Sequence, residues 1–541
     1  MFSILLALLL LLASPAQKAQ TPAPNPADLC TVQGVVMKAD TREPLRGADV
    51  TLEQDGTRPL EFGTTTDAMG RFELKDVVPG LYRLVVERNA YVRQEYGQTA
   101  PRSPGSVLTL SAGQKISDIS VQLSPAAVIS GHVYDENGDP VMEAHVTPLC
   151  YSYVNGQRQL ADFGGADTND LGEFRLYGLL PGQYFVEVEY RKGAFQAYKS
   201  KQGYVPMYYP GVPDLGHAAP IVVRAGDEFS SAEITLQTTH TVTLRGHMVS
   251  AMNGGGGVDG QVFLLPQNAT STGNDAVSHA LASDSQGAFE LLNVPPGAYF
   301  LYALHGPERA RQPIGVVDTD IEGIVLTLTP GVEIRGRLRI EGKLDSTSTS
   351  FRIVLAPQNT RGFYGSVPTD SVKADGAFLL KGAYDNEYEI NVSGLPENWF
   401  LKSARLDGVD ALTAGVTIDT KQAPGLLDIL VSPNGATLDG VVSKDQQPFQ
   451  GATVALVPDP PHRGETRLFK STSTDQLGHF HLQGIPPGDY KLFAWESIES
   501  GAYTNSEFLQ PYEIHGESVH ITEGSHTTLN PELIPKADGD H

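Results

Sequence analysis

Residue types able to do chemistry are sparse in this sequence, and each has a plainer reading. A zinc hydrolase needs three protein ligands and an open fourth position. His305-Gly306-Pro307-Glu308 has the His-x-x-Glu spacing of two such ligands, but it follows the apolar run Tyr299–Leu304 at a Gly-Pro turn. It reads as a surface turn. His479 and His481 stand at i and i+2, on one face of a strand. Arg71 and Glu73, or Glu173 and Arg175, fill the matching places elsewhere in the chain, so that face is solvated. Asp135, Asn137 and Asp139 imitate the first ligands of a calcium loop, but Pro140 stands where the loop needs Gly. They read as a hairpin turn. The Gly254–Gly257 run lacks the Lys-Ser/Thr of a phosphate loop, and no Ser has Gly at both −2 and +2. The expectation is no catalytic residue, no metal and no cofactor.

Aromatic residues are the more pointed signal. Between Gly193 and Gly211 five of 19 residues are aromatic, or 26% against 8% for the chain. Tyr204, Tyr208 and Tyr209 lie there beside Pro206 and Pro210, and a smaller version holds Tyr91 and Tyr96. A Tyr on a Pro-held loop offers a flat apolar ring with a polar tip, which suits a sugar ring or a protein partner. These five tyrosines are the candidate ligand-binding residues. The competing reading is that they pack one module against the next. A coplanar, exposed row would decide for binding.

The elements that must position these residues follow from an internal repeat. Gly, any residue, Phe, and then Tyr twelve positions after the Gly recurs five times. The copies are Gly70/Phe72/Tyr82, Gly172/Phe174/Tyr184, Gly287/Phe289/Tyr299, Gly376/Phe378/Tyr388 and Gly478/Phe480/Tyr490. A second mark, a Gly inside an alternating apolar run, opens each copy at Gly34, Gly131, Gly246, Gly336 and Gly440. The opening glycines lie 97, 115, 90 and 104 residues apart, and the turn glycines 102, 115, 89 and 102. A unit of that size is a domain with its own core, so the reading is beads on a string. The five Phe residues are expected in those cores.

Within a unit the hydrophobic period is two, as in Val32-Gln33-Gly34-Val35-Val36. Turn signals separate the runs. Asn155-Gly156 between Tyr151–Val154 and Gln157–Leu160 predicts a tight hairpin, and Pro-Gly precedes the repeated Tyr in four copies. No long helical period occurs. The fold class is all-β, with five tandem Ig-like β-sandwich modules. The spans are 31–124, 125–238, 239–329, 330–433 (degenerate) and 434–536, with a tail at 537–541.

Three further marks carry a family likeness. They are Pro44-Leu45-Arg46-Gly47-Ala48-Asp49-Val50, matched by Pro448–Val454 and nearly by Pro140–Val146; Thr66–Phe72, matched by Thr474–Phe480; and Pro-Gly-x-Tyr. With the Gly-bearing first strand they resemble the carboxypeptidase regulatory-like domain, a transthyretin-like β-sandwich. The likeness is strong in units one, two and five and weak in four. It implies a secreted multi-module protein of the kind found in soil bacteria, and no peptidase activity of its own.

Composition sets the remaining bounds. The 541 residues include 63 Asp and Glu against 39 Lys and Arg, a net charge of −24, which excludes nucleic-acid binding by phosphate neutralisation. The apolar run from Ile4 to Ala13 is shorter than the ~20 residues of a membrane span. Small residues at Ser14 and Ala16 then mark a cleavable signal peptide, 1–16, before a Pro/Ala-rich linker at 17–30. No transmembrane span is expected in the mature chain. Secretion would place the two cysteines, Cys30 and Cys150, where a disulfide could clamp the first two modules. The functional expectation is a non-catalytic secreted, periplasmic or cell-envelope protein that binds or spaces, with a glycan or an envelope protein as partner. The alternatives are a carbohydrate-binding protein using the aromatic loops of modules one and two, and an accessory or regulatory chain of a peptidase.

Overall fold

The structure is a computed structural model that describes residues 26–54, 61–190, 202–267, 279–342, 351–358, 367–460 and 462–536. The expected signal peptide and tail, most of the linker, and Phe195 and Tyr198 of the aromatic loop lie outside these residues. Strands and short helical turns make up what is described, and none of those helices is long and apolar enough to cross a membrane.

The period-two runs form two-layered sandwiches. In the first, Cys30–Lys38 pairs antiparallel with Arg71–Val77 and parallel with Lys115–Leu123. The facing layer centres on Asp49–Gln54, held between Glu61–Thr65 and Gly80–Glu87. Inward residues of both layers, among them Val32, Val36, Val50, Leu52, Phe72 and Tyr82, are buried together. Four more cores of the same make follow along the chain. In the third module the layers run into one seven-stranded sheet, because Glu308–Val316 pairs with both Gly297–His305 and Ile321–Pro330.

The two marks of the repeat are cross-strand partners. Gly34 faces Phe72, Gly131 faces Phe174, Gly246 faces Phe289, Gly336 faces Phe378 and Gly440 faces Phe480. A strand glycine leaves room, and the opposite ring fills it. A Cβ on Gly34, Gly246, Gly336 or Gly440 would lie 2.0–2.7 Å from that ring. All five Phe residues are buried, as expected. The turn glycines answer a different demand. All five have φ between 68° and 84°, and a Cβ on any of them would meet a carbonyl oxygen of the first strand, or for Gly478 of the residue just after it, at 2.3–2.7 Å. Asp67, Asn169, Asp284 and Asp475 brace these turns, each accepting two backbone N–H bonds across it.

The repeated Tyr closes each module. Tyr82, Tyr184, Tyr299, Tyr388 and Tyr490 each donate a hydroxyl bond to the carbonyl four residues upstream, at 2.8–3.2 Å. Burial pushes the hydroxyls of Tyr184, Tyr299 and Tyr490 up to about 12 and raises those of Tyr82 and Tyr388. In an unfolded chain the phenol ionises near pH ~10. Folding therefore favours the neutral hydroxyl. This contribution is fully present below about pH 10 and is lost as pH rises toward 12. Melting temperature should fall steeply from about pH 10 upward, and less steeply in a Tyr184→Phe chain. A flat profile across that range would count against the assignment.

The modules do not form an open string. The fifth returns to the first, where Ser473 Oγ donates to the Gly105 carbonyl (2.5 Å) and Ser497 Oγ to the Thr99 carbonyl (3.0 Å). It also meets the second. Asn155 and Gly156 have φ 48° and 74°, the positive values of the expected tight turn, and the Gly156 carbonyl accepts from Asn505 Nδ2 at 2.9 Å. Beside that bond, Tyr153 packs edge-on to Phe508, with ring centres 5.9 Å apart. Phe508 belongs to a second small core on the outer face of the fifth module, where the 496–515 segment covers Phe493 and Trp495.

Candidate functional site

The five candidate tyrosines do not form a row. Met207–Tyr208 pairs with Glu187 and Val188 as an added strand of the second module, which draws Tyr208 inward. Its side chain is 8% exposed and its hydroxyl donates to Glu187 at 2.7 Å, so it packs within the module. Tyr209 is half-buried against Phe229, and Tyr204 is half-buried against Tyr190 beside the Glu136 turn. These three residues do not form the coplanar exposed row that would decide for binding. Tyr204, Val205 and Tyr209 pack on the core of the second module, while Pro206 and Pro210 are exposed. Tyr91 and Tyr96 pack on the first core, and Tyr91 also bridges to Pro125 at the start of the second module.

The cysteines are corrected too. Cys30 alternates inward with Val32 and lies fully buried in the first core, its thiol donating to the Ser111 carbonyl (3.0 Å). Cys150 is buried in the second core, and both thiols are free. Arg102 makes a further contact between these modules: its Nη1 lies 3.4 Å from Cys150 Sγ and its guanidinium stacks 3.5 Å above the Phe163 ring centre.

The remaining sequence candidates are structural. His305 and Glu308 face each other across a tight turn, but the Glu308 carboxylate is buried and accepts from Ser250 Oγ (2.5 Å) and the Met252 N–H (3.2 Å). His305 Nδ1 lies 2.6 Å from the Asp259 carbonyl. His481 and His526 share Asp439, and His479 is exposed. Asp135 accepts from the N–H groups of Asn137 and Asp139, as a turn residue does, and the Asp139 N–H holds its carboxyl below the usual range. Among the described residues no three His, Cys, Asp or Glu side chains converge as a metal site.

Clefts lie at module junctions, among them one of about 590 Å³ between the fourth and fifth modules and two larger ones. One, of about 820 Å³, is walled by the first, second and fifth modules and includes Tyr91. Within it Arg93 is paired with Glu87 and Glu95, each at 3.0 Å, and Glu95 also accepts from the Gly105 N–H, while Arg102 stacks on Phe163. The other, of about 720 Å³, lies between the third and fourth modules. Phe300, Tyr302, Arg309 and Arg311 come from adjacent paired strands of the third module, with Tyr384 and Lys421 from the fourth. Arg311 lies 3.9 Å above the Phe300 ring centre and Arg309 4.8 Å above that of Tyr384. The Tyr384 hydroxyl donates to the Pro307 carbonyl at 2.7 Å, pinning the two modules together. Sequence reasoning missed this cleft. Its signal was Arg309-x-Arg311 at strand period, in an acidic chain, just after the aromatic run Tyr299–Tyr302.

One further geometry bears on family. In the first module the buried Thr66 Oγ1 accepts from the Ala48 N–H (2.9 Å) and donates to the Leu45 carbonyl (2.6 Å), tying Pro44–Val50 to the Gly70 turn. Residues 31–124 match the carboxypeptidase regulatory-like domain. Thr168 and Thr474 make the same pair of bonds in the second and fifth modules, so this hydrogen-bond geometry recurs outside the matched residues. No curated protein matches the chain. Among solved structures it is similar to a streptococcal ancillary pilin, with 11% identity over 56% of this chain and 99% of that one and a TM-score of 0.20. It is also similar to the Bacillus anthracis TIE protein (10% identity, 74% of this chain, 73% of that one, TM-score 0.16). A minor pilin of Streptococcus agalactiae matches at 12% identity over 39% of this chain and 97% of that one, with a TM-score of 0.22.

Proposed function

We propose that the chain is a non-catalytic scaffold of the cell envelope or extracellular space. Its five β-sandwich modules, bounded near residues 124, 238, 329 and 433, offer binding surfaces where they meet. One observation carries this reading. The repeated residues of every module are taken up by turns and core, while clefts of about 820, 720 and 590 Å³ lie between modules. Tyr91, in the first of these clefts, stays a candidate contact residue, with Tyr96 beside it on the same loop. The apolar leader read at 1–16 supports export, and an envelope protein or glycan is the partner class.

The test has two arms. Purified chain lacking residues 1–16 should show no turnover of peptide, ester or glycoside substrates, and chelator-sensitive peptide hydrolysis would overturn the reading. Small-angle scattering should show one closed particle. A Tyr153→Ala/Ser473→Ala/Asn505→Ala chain should be longer, with each module still folded by circular dichroism. An extended wild-type particle would defeat the closed scaffold.

A further inference from the structure

We propose that a free sheet edge of the third module, opening on the cleft it shares with the fourth, takes an acidic segment of a partner protein as an added β-strand. The first ground is the backbone. His305 and Glu308 face each other across the Gly306-Pro307 turn, and the pairing runs on without a shift as far as Gly297 and Val316. Such a hairpin turns the N–H and C=O groups of alternate residues toward the partner strand. Those of Arg309, Arg311, Pro313 and Gly315 therefore point away from it. Arg309 meets Thr329 of Ile321–Pro330, which then departs along Val242–Ser250. Beyond Arg309 no strand among the described residues pairs with this edge. Arg311, Pro313 and Gly315 are exposed, and a Cβ on Gly315 would meet nothing within 4 Å, so the approach is open. Pro313 has no N–H, which leaves donors at Arg311 and Gly315 and carbonyls at all three.

The second ground is length. The strand that carries the repeated Tyr is flanked on its second side in every module. In the other four modules the flanking strands have two to five residues. Glu308–Val316 has nine. Short edge strands resist added partners, whereas a long one with unpaired backbone groups is a template for them.

The third ground is charge. Arg309, Arg311 and Lys421 line the cleft with a single carboxylate, Asp385, in a chain that carries −24 overall. Asp385 already accepts from the Thr420 N–H. Neither Arg311 nor Lys421 pairs with a carboxylate among the described residues, whereas Arg83, Arg93, Arg245, Arg339 and Lys402 all do. Arg309 and Arg311 share one face of their strand, so an added strand with Glu at every second position sets its carboxylates on that face beside them.

The inference rests on the binding-scaffold reading, and the two fail separately: hydrolysis defeats the scaffold, while the titrations below address this edge alone. Calorimetric titration of the chain lacking residues 1–16 with a short peptide alternating Glu and Thr should show saturable binding, and hydrogen exchange should slow at Arg311 and Gly315. The matching Gln and Thr peptide keeps the strand and removes the charge, and it should bind at least about tenfold more weakly. A copy of the Glu peptide N-methylated throughout keeps the charge and cannot donate to the edge, and it should lose as much. In the chain, Arg311→Gln should lower affinity about tenfold, and so should Gly315→Pro, which removes an outward donor and no ladder bond. The inference is overturned by no binding, which would make Arg311 and Pro313 guards against strand pairing. Equal binding of either control peptide, or full affinity in both variants, would overturn it too. So would equal binding of an oligogalacturonate of matched charge, which would leave a site that reads charge and no strand. Should Gly315→Pro misfold, the control peptides and Arg311→Gln still decide.

Discussion

A Phe174→Ala chain should lose about 3–5 kcal/mol of stability in its second module. Phe174 is 3% exposed and opens the strand Glu173–Leu179, where it faces Gly131. Truncation leaves a void over a glycine, with no side chain to collapse into it. Nor does the glycine offer a repair. A Cβ on Gly131 would lie 1.9 Å from the Ala232 carbonyl oxygen of the parallel strand, and backbone cannot move aside. The fourth module provides the contrast. There the nearest atoms to a Cβ on Gly336 all belong to the Phe378 ring, at 2.0–2.7 Å. Phe378→Ala should be partly rescued by Gly336→Ala, and Phe174→Ala should not be rescued by Gly131→Ala. Calorimetry that resolves the module transitions checks both. An unchanged melt for Phe174→Ala, or equal rescue in the two modules, would disprove the steric account.

Trp495→Ala should be as costly, about 3–5 kcal/mol, and should also open the molecule. Trp495 is 1% exposed, stacked on Phe493 with ring centres 5.1 Å apart and edge-on to Tyr512 at 5.9 Å. These rings fasten the 496–515 segment, and that segment carries Asn505 and Phe508, which meet the second module. Losing the indole should therefore free the segment and separate the fifth module from the second, seen as a longer scattering profile. The indole N–H has no hydrogen-bond partner, so Trp495→Phe removes ring area and no bond and should cost much less. If the Phe and Ala variants melt together, packing is not what Trp495 supplies.

The candidate site was legible only in part, and particular residues say why. Tyr208 and Tyr91 look alike in sequence, each a Tyr on a loop near prolines or charges. Pairing with Glu187–Val188 buried the first, whereas the second lines a junction. Cys30 and Cys150 looked like partners because they were two. Strand alternation had already turned Cys30 into one core, and Cys150 lies in another.

What the sequence determined by itself was local: the all-β class, the repeat, the positions of its turns, and the Phe and Tyr cores. Each of these rests on period-two burial and on glycine geometry, which neighbours along the chain already encode. Only the tertiary structure decided that the fifth module closes on the first and second. It alone brought Arg311 and Lys421, 110 residues apart, to one cleft. Those contacts join surfaces of separately folded modules. They depend on side chains and backbone groups that no periodic pattern within a module constrains.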